Sequence, residues 1–374
     1  MDAMIDAQAI FSGSKIVHHQ DRLGPYVESR RTASVPVTME MDLTNICSHR
    51  CPSCAGRRMP ESAADQLFTV LGDGRSIPED RAANYIVQIA RAGVKGLIFT
   101  GGGEPTVHPA IQSLIYLARA SGMDVGLVTH GGLLHKLDID RLVTDCTWIR
   151  VSIDAVDEKQ FLEVHGRQRD EWLRVWNNVE KISSSARRLK GAGQTAATIG
   201  VGYLTGPEDI SKITVFARLA KQHGVDYAQI RPFHHFCHLD AEAYVREASE
   251  RFDSETFHVV GSNHKYVHIH NGDIEPRNYS QCHFANFASV ICANEKLYVC
   301  CHHRNVEAFC IGNLREESFI EIVQGDRRNK VTESVNVGRC QPLCRGDHMN
   351  RDVEQIANGG LVSLGPTPPH VNFL

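Results

Sequence analysis

Three cysteines, Cys47, Cys51 and Cys54, stand in the stretch Met-Asp-Leu-Thr-Asn-Ile-Cys-Ser-His-Arg-Cys-Pro-Ser-Cys, directly after a strand-like run from Val35 to Leu43. Thiolates at this spacing supply three ligands, with no obvious fourth nearby. Structural zinc takes four ligands in a closed tetrahedron, whereas a reactive metal centre keeps a position open. A [4Fe–4S] cube held by three cysteines leaves one iron free to take a small molecule. The competing reading is a zinc knuckle completed by a distant fourth ligand. Further along, Val94 to Thr100 reads as a buried parallel strand that runs into Gly101-Gly102-Gly103-Glu104-Pro105. Glycines at a strand's end let the backbone approach a ligand closely. Taken alone such a turn is weak evidence, since many strand–helix units have one.

These residues need a scaffold, and the chain supplies a regular one. Helices are expected at Pro78–Ala92, Ala110–Ala120, Leu137–Thr144, Asp170–Leu189 and Ile210–His223. Between them, strands are expected at Met123–Thr129, Trp148–Asp154, Ala197–Leu204 and Tyr227–Pro232. Regular alternation of this kind implies a parallel sheet with right-handed crossovers. In parallel barrels ligands collect at the C-terminal ends of the strands, and both motifs fall at such ends.

The Cys-x3-Cys-x2-Cys spacing, joined to the glycine-rich strand end, resembles the radical S-adenosylmethionine (SAM) superfamily. The resemblance implies an α/β fold, a partial (β/α)6 TIM-like barrel with a small C-terminal Cys-rich cluster-binding extension. It further implies that Cys47, Cys51 and Cys54 hold a [4Fe–4S] cluster whose unique iron binds SAM, and that Gly101, Gly102, Gly103 and Glu104 receive the methionine amino group. Ser152 and Asp154 occupy positions that by resemblance contact the SAM ribose or carboxylate; a plain inward-pointing serine and a helix cap are the alternative. His130 is a candidate for the cofactor or substrate pocket, and Arg231 with Gln229 for the methionine carboxylate or a substrate oxygen. One departure concerns Ser53, where the family usually has an aromatic residue near the adenine.

The alternation stops near Phe233. Residues 234–281 read as an irregular, His-rich linker with an amphipathic helix around Ala241–Phe252. Cysteines then crowd: Cys282, Cys292, Cys300, Cys301, Cys310, Cys340 and Cys344. Leu297-Tyr-Val-Cys-Cys followed by Ile311-Gly-Asn-Leu-Arg-Glu-Glu-Ser-Phe resembles the SPASM extension and its shorter twitch form. These bind auxiliary iron–sulfur clusters through a β-hairpin and a following helix. A full SPASM extension holds two clusters and uses more cysteines after the hairpin; Cys282, Cys300, Cys340 and Cys344 fit the twitch layout, one auxiliary [4Fe–4S] cluster with four thiolates. Cys301 is the alternative to Cys300, because adjacent strand residues face opposite ways. A four-ligand zinc site, with or without His302 or His303, is the rival. The two histidines are otherwise expected as solvated turn residues, and Cys146, Cys237, Cys292 and Cys310 as buried thiols. The domain expectation is an N-terminal arm over 1–34, the barrel over 35–233, the linker, the auxiliary domain over 282–350, and an extended tail over 351–374. Phe373 and Leu374 are expected to tuck against the barrel.

Composition narrows the setting. The 374 residues carry a net charge of −4, with 42% hydrophobic residues, ordinary for a globular chain with a substantial core. Lys and Arg are dispersed, which argues against a nucleic-acid surface. No apolar run of membrane-spanning length occurs, and the N-terminus lacks the features of a signal peptide. A cytoplasmic location is expected, where twelve cysteines read as metal ligands or catalytic thiols rather than disulfides. The resemblance implies reductive cleavage of SAM to methionine and a 5′-deoxyadenosyl radical, which abstracts hydrogen from an unactivated C–H. The electron would come from a one-electron reductant such as flavodoxin or ferredoxin. An electron passed to the auxiliary cluster gives oxidation; a hydrogen returned by a thiol gives an epimer, with Cys237, Cys301 and Cys310 as candidate donors. Peptide-modifying relatives often carry a leader-binding domain, and thirty-four residues before the barrel are too few for one. The expectation is therefore oxidation of a small hydroxylated substrate, a sugar or aminocyclitol. Epimerisation, dehydration and peptide modification are the alternatives. A non-catalytic iron–sulfur carrier would not need the glycine-rich loop, and a zinc-dependent interaction module would need a basic stripe.

Overall fold

The structure is a computed structural model, and it describes residues 9–11, 13–29, 35–52, 54, 76–166, 170–232, 241–262, 269–270, 273–340 and 344–374. In chain order its strands are β1 (Thr38–Asp42), β2 (Gly96–Thr100), β3 (Asp124–Thr129), β4 (Trp148–Ser152), β5 (Thr198–Thr205), β6 (Tyr227–Pro232) and β7 (His258–Gly261). The short pair β8 (Ile269–His270) and β9 (Asp273–Ile274) follows, then β10 (Ala288–Ile291), β11 (Lys296–Tyr298) and β12 (Cys310–Asn313). The helices are α1 (Gln20–Ser29), α2 (Glu79–Arg91), α3 (Ile111–Ala120), α4 (Ile139–Asp145), α5 (Glu158–His165) and α6 (Glu171–Gly191). They continue with α7 (Ile213–Gln222), α8 (Glu242–Phe252), α9 (Phe319–Gln324), α10 (Asp326–Glu333) and α11 (Asp347–Ala357).

The chain divides into two compact units. The first comprises residues 12–48, 54–126 and 276–374. Its strands run in the order β12-β11-β10-β1-β2. β1 is parallel to both β2 and β10, while β10, β11 and β12 form an antiparallel meander. Every residue of β1 is buried, as expected of a parallel strand covered on both faces. Helix α2 starts after Pro78 and buries Ala82, Tyr85, Ile86 and Ile89, the i, i+3, i+4, i+7 stripe of an amphipathic helix. Each fully buried isoleucine there contributes about 1.5–3 kcal/mol. Ser318 and Glu321 form a capping box at the start of α9, satisfying backbone donors that the helix leaves open.

The second unit comprises residues 1–11, 49–53 and 127–275. Here β4, β5, β6 and β7 are successive parallel neighbours, and β8 pairs with β9. The sequence reading of 234–281 as irregular misses β7, whose pairing with β6 adds a further parallel strand. Earlier in the chain, the sequence reading also misses α5, which lies between β4 and α6. The tail is likewise less extended than expected, because α11 runs through residue 357. Phe373 is buried, as anticipated. Among the described residues, no helix is long and apolar enough to cross a membrane.

Candidate functional site

In the first unit, β2 delivers the glycine-rich loop against the chain just before Cys47. Glu104 N donates to Ile46 O at 2.9 Å. A Cβ on Gly103 would stand 2.3 Å from Ile46 O, and one on Gly102 would stand 2.4 Å from Asn45 Oδ1. Glycine is thus required by close backbone approach. The Glu104 carboxylate is fully ordered by its own turn: Oε1 accepts from Thr106 N at 3.0 Å and from Thr106 Oγ1 at 2.6 Å. Cys47 and Cys54 are half-buried, and Ser53 lies outside the described residues.

In the second unit, α5 ends against the middle of the cysteine loop. Arg50 N donates to His165 O at 2.9 Å, and Gly166, in the left-handed region at φ +62°, leaves no room for a Cβ beside Arg50 O. Cys51 is half-buried, its Sγ 3.4 Å from His165 Nδ1. His165 Nε2 donates to Ile153 O at 2.7 Å, and His49 Nε2 donates to Glu171 Oε1 at 2.9 Å. The two remaining Nδ1 atoms lie 3.3 Å apart, so one must carry a proton. Burial lowers the His165 pKa, opposed by the charge of Asp154 and the hydrogen bond to Ile153 O. His130 stacks on His49 with centroids 3.7 Å apart and accepts from Gly132 N through Nδ1. With both nitrogens of His49 engaged, the cluster acts as an anchor for the cysteine loop. His49, His165 and Glu171 were missed from sequence, although His49 sits inside the cysteine motif.

The other expected positions of this unit lie at strand ends. Ser152 closes β4 opposite Gly202 and is half-buried. Asp154 holds a positive φ of 52°, and its Oδ1 accepts from Leu204 N at 2.8 Å. Burial raises its pKa, an effect opposed by the nearby charges of His165, Arg231 and Arg150. Gln229 accepts from Arg150 Nη1 at 2.8 Å, and half-buried Arg231 lies further along the same strand. His130 follows β3. Cys237 lies outside the described residues.

The second constellation falls wholly within the first unit. Cys282, Cys300, Cys340 and Cys344 line one pocket, together with Phe284, Val299, His302, His303 and Val335. Cys300 Sγ accepts from His302 N and Cys344 Sγ from Gly346 N, both at 3.4 Å. Burial pushes the Cys282 thiol up to about 12, reinforced by Cys344 and Cys340. Burial also raises Cys344 to about 11 and lifts Cys340. Cys300 rises through its hydrogen bond with Cys301 and through burial. Thiols that oppose one another's ionisation require a polycation among them before all can be thiolates. Four convergent sulfurs in an apolar pocket with backbone N–H donors fit an iron–sulfur core. Cys301, hydrogen-bonded to Cys300, lines another space with Thr38, Glu40, Ser289 and Arg345. Cys310 is packed with Val290, Cys292 and Tyr298, and Cys146 is also buried. His303 is buried and stacked on Phe309 at 3.9 Å, which corrects its expectation as a solvated turn residue.

Comparison with known proteins identifies the family. Residues 41–208 match the Radical SAM superfamily, and residues 282–347 match SPASM, an iron–sulfur cluster-binding domain. The chain is 27% identical over 217 residues to a GTP 3′,8-cyclase of Chlorobaculum tepidum, covering 57% of this chain and 56% of that protein. It is 29% identical over 139 residues to an S-adenosylmethionine-dependent nucleotide dehydratase of Lacinutrix mariniflava, covering 37% and 28%. The matches thus span about half or less of these curated relatives. The crystal structure of Streptococcus suis SuiB superposes with a TM-score of 0.62 at 14% identity, covering 96% of this chain and 82% of that one. This likeness shows a common α/β fold with a mostly parallel sheet, typical of the radical SAM partial barrel. The chain belongs to the radical SAM superfamily, with a C-terminal SPASM domain; its cofactors are SAM, the SAM-binding [4Fe–4S] cluster and an auxiliary iron–sulfur cluster.

Proposed function

We propose that this enzyme oxidises a small hydroxylated molecule, with Cys47, Cys51 and Cys54 holding the SAM-binding cluster and Cys282, Cys300, Cys340 and Cys344 the auxiliary one. The observation that carries the reading is the convergence of those four thiols on one pocket. Four protein ligands leave no iron open for substrate, which suits a site for electron transfer. Cys47, Cys51 and Cys54 would hold the cluster whose electron cleaves SAM, and Cys282, Cys300, Cys340 and Cys344 one able to take an electron from the substrate radical. Once the hydrogen atom has left with 5′-deoxyadenosine, an alcohol radical has one electron and one proton still to lose. By the resemblance, Gly101 to Gly103 and Glu104 would receive the methionine amino group; Ser152, Asp154, His130 and Arg231 are, each separately, candidates for contact with SAM or substrate. Precise placement of the target C–H and exclusion of water are the protein's contribution to rate.

A redox-neutral epimerisation is less well supported, because it needs an accessible thiol donor. Among the described candidates, the Cys310 thiol donates to Gly312 O within an apolar cluster and Cys301 is buried; Cys237 lies outside the described residues. Among hydroxylated substrates a nucleotide is favoured as a second reading, since the curated relatives are named for GTP and nucleotide chemistry. The reading places the enzyme in the cytoplasm, fed by a flavodoxin- or ferredoxin-like reductant. Its test is anaerobic incubation with SAM, reductant and a panel of sugars, aminocyclitols and nucleotides. The expected product is lighter by one hydrogen molecule and forms one-for-one with 5′-deoxyadenosine. A product of unchanged mass that takes up solvent deuterium at carbon would replace oxidation with epimerisation.

A further inference from the structure

Strand β1 buries two carboxylates on one face, Glu40 and Asp42, between parallel neighbours where an apolar run is the norm. Two arginines from the Cys-rich region neutralise them. Glu40 Oε1 binds Arg345 Nη1 and Glu40 Oε2 binds Arg304 Nη2. Arg304 Nε binds Asp42 Oδ2 at 2.8 Å. Each arginine is tied to the cage: Arg345 directly follows Cys344 and lies over the ring of Phe284, a cage-lining residue, at 5.4 Å. Arg304 Nη1 donates to Cys301 O at 2.7 Å, next to Cys300. Glu40 therefore spans the segments that carry two of the four thiols.

We propose that Glu40 is a positioning residue for the auxiliary cluster: by pairing with Arg304 and Arg345 it fixes the Cys300 and Cys344 segments and sets the positive charge the cluster experiences. Glu40 faces two guanidiniums in this buried network, so removing it leaves their positive charge less compensated in a low-dielectric setting, while burial raises the Asp42 carboxyl against the pull of Arg304. Burial alone would raise the Glu40 carboxyl, but Arg345 and Arg304 outweigh it and hold the pKa at about 2, so Glu40 is an anion at neutral pH. Charges and hydrogen bonds outside the ligand shell tune reduction potentials. This inference rests on the four-cysteine cage proposed above.

The test is an EPR-monitored redox titration of the reconstituted full chain, repeated with Cys47, Cys51 and Cys54 all changed to Ala to isolate the auxiliary signal. Glu40→Gln should move the auxiliary midpoint potential upward, because the reduced cluster gains from the unbalanced arginine. Arg345→Met should move it downward. The Glu40→Gln/Arg345→Met double variant should return towards wild type, and Glu40→Asp should stay close to it. Loss of auxiliary iron in Glu40→Gln, restored in the double variant, also supports charge pairing. Unmoved potentials in both single variants, or shifts of the same sign, overturn the proposal, since simple loosening has no reason to follow charge. If Cys282→Ala and Cys344→Ala keep the auxiliary iron, the cage reading itself fails. If they lose it while the Glu40 and Arg345 variants titrate like wild type, only the present inference fails.

Discussion

The two cysteine groups are built to opposite plans. The C-terminal four share a pocket inside one unit with Phe284, Val299, Val335, two histidines and Arg339, and backbone N–H groups are already directed at two of the sulfurs. The N-terminal three are half-buried on a loop outside the named strands and helices, held through neighbours: Ile46 by the glycine loop, Arg50 by the end of α5. A closed set of four donors suits an electron store, whereas three donors on an anchored loop leave a coordination position for a ligand. Enclosure and access are thus set by ligand number and by what lines the site, since Cys340 and Cys344 are half-buried like the N-terminal three.

The contrast breaks most sharply if the groups are interchangeable. Replacing Cys47, Cys51 and Cys54 by Ala should abolish 5′-deoxyadenosine formation and remove about four of about eight irons per chain. Retention of SAM cleavage by that variant would dismiss the assignment. Next in size is Cys344→Ala, which should lose product while SAM cleavage persists within a few-fold, measured by chromatography of both products. Equal loss of the two would make the cage a structural site alone. A smaller effect is expected of His165→Ala, which removes the ring beside Cys51. Iron retention or SAM cleavage at the N-terminal group should fall about 10–100-fold, with the auxiliary signal unchanged; a wild-type result would show the histidine network to be incidental.

The smallest effect tests whether the cage's unit is folded before metal arrives. Lys15 Nζ donates to His370 O and Phe373 O, and burial, then Arg345, lowers its pKa from 10.5 to about 7. The folded state thus disfavours the ammonium. The penalty is complete below about pH 7, fades as the folded lysine deprotonates, and is gone above the unfolded value of about 10.5. Denaturant unfolding of metal-free protein should therefore show wild type gaining on Lys15→Met as pH rises through that window. A flat difference would mean that this packing forms only with metal present.

Much of this was legible in the sequence where periodicity or spacing was strong. Strand β6 spans Tyr227–Pro232 as expected, α2 begins just after Pro78, and the four cage thiols share one pocket although Cys282 and Cys344 lie far apart in the chain. What escaped was short or non-local. β7 has four residues, too few to show alternation. Helix α5 has eight, yet its signals were present: Asp157 caps the start by accepting from Gln160 N, and Gly166 closes the end. The His49–His165–Glu171 network joins residues over a hundred positions apart, and no local pattern announces such a pairing. The burial of His303 depends on Phe309 folding back over it, which polarity alone does not reveal.

The seam between Gly103 and Ile46 bears on how the enzyme can be re-engineered. With Gly103 lacking space for even a methyl group and Glu104 bonded to the carbonyl just ahead of Cys47, these two pieces of chain form one mechanical part. Room for a bulkier sulfonium analogue cannot be carved there without dragging the first cluster ligand along. If the proposed SAM contacts at Ser152 and Arg231 hold, those half-buried positions are where a library for enlarged cofactors is better spent.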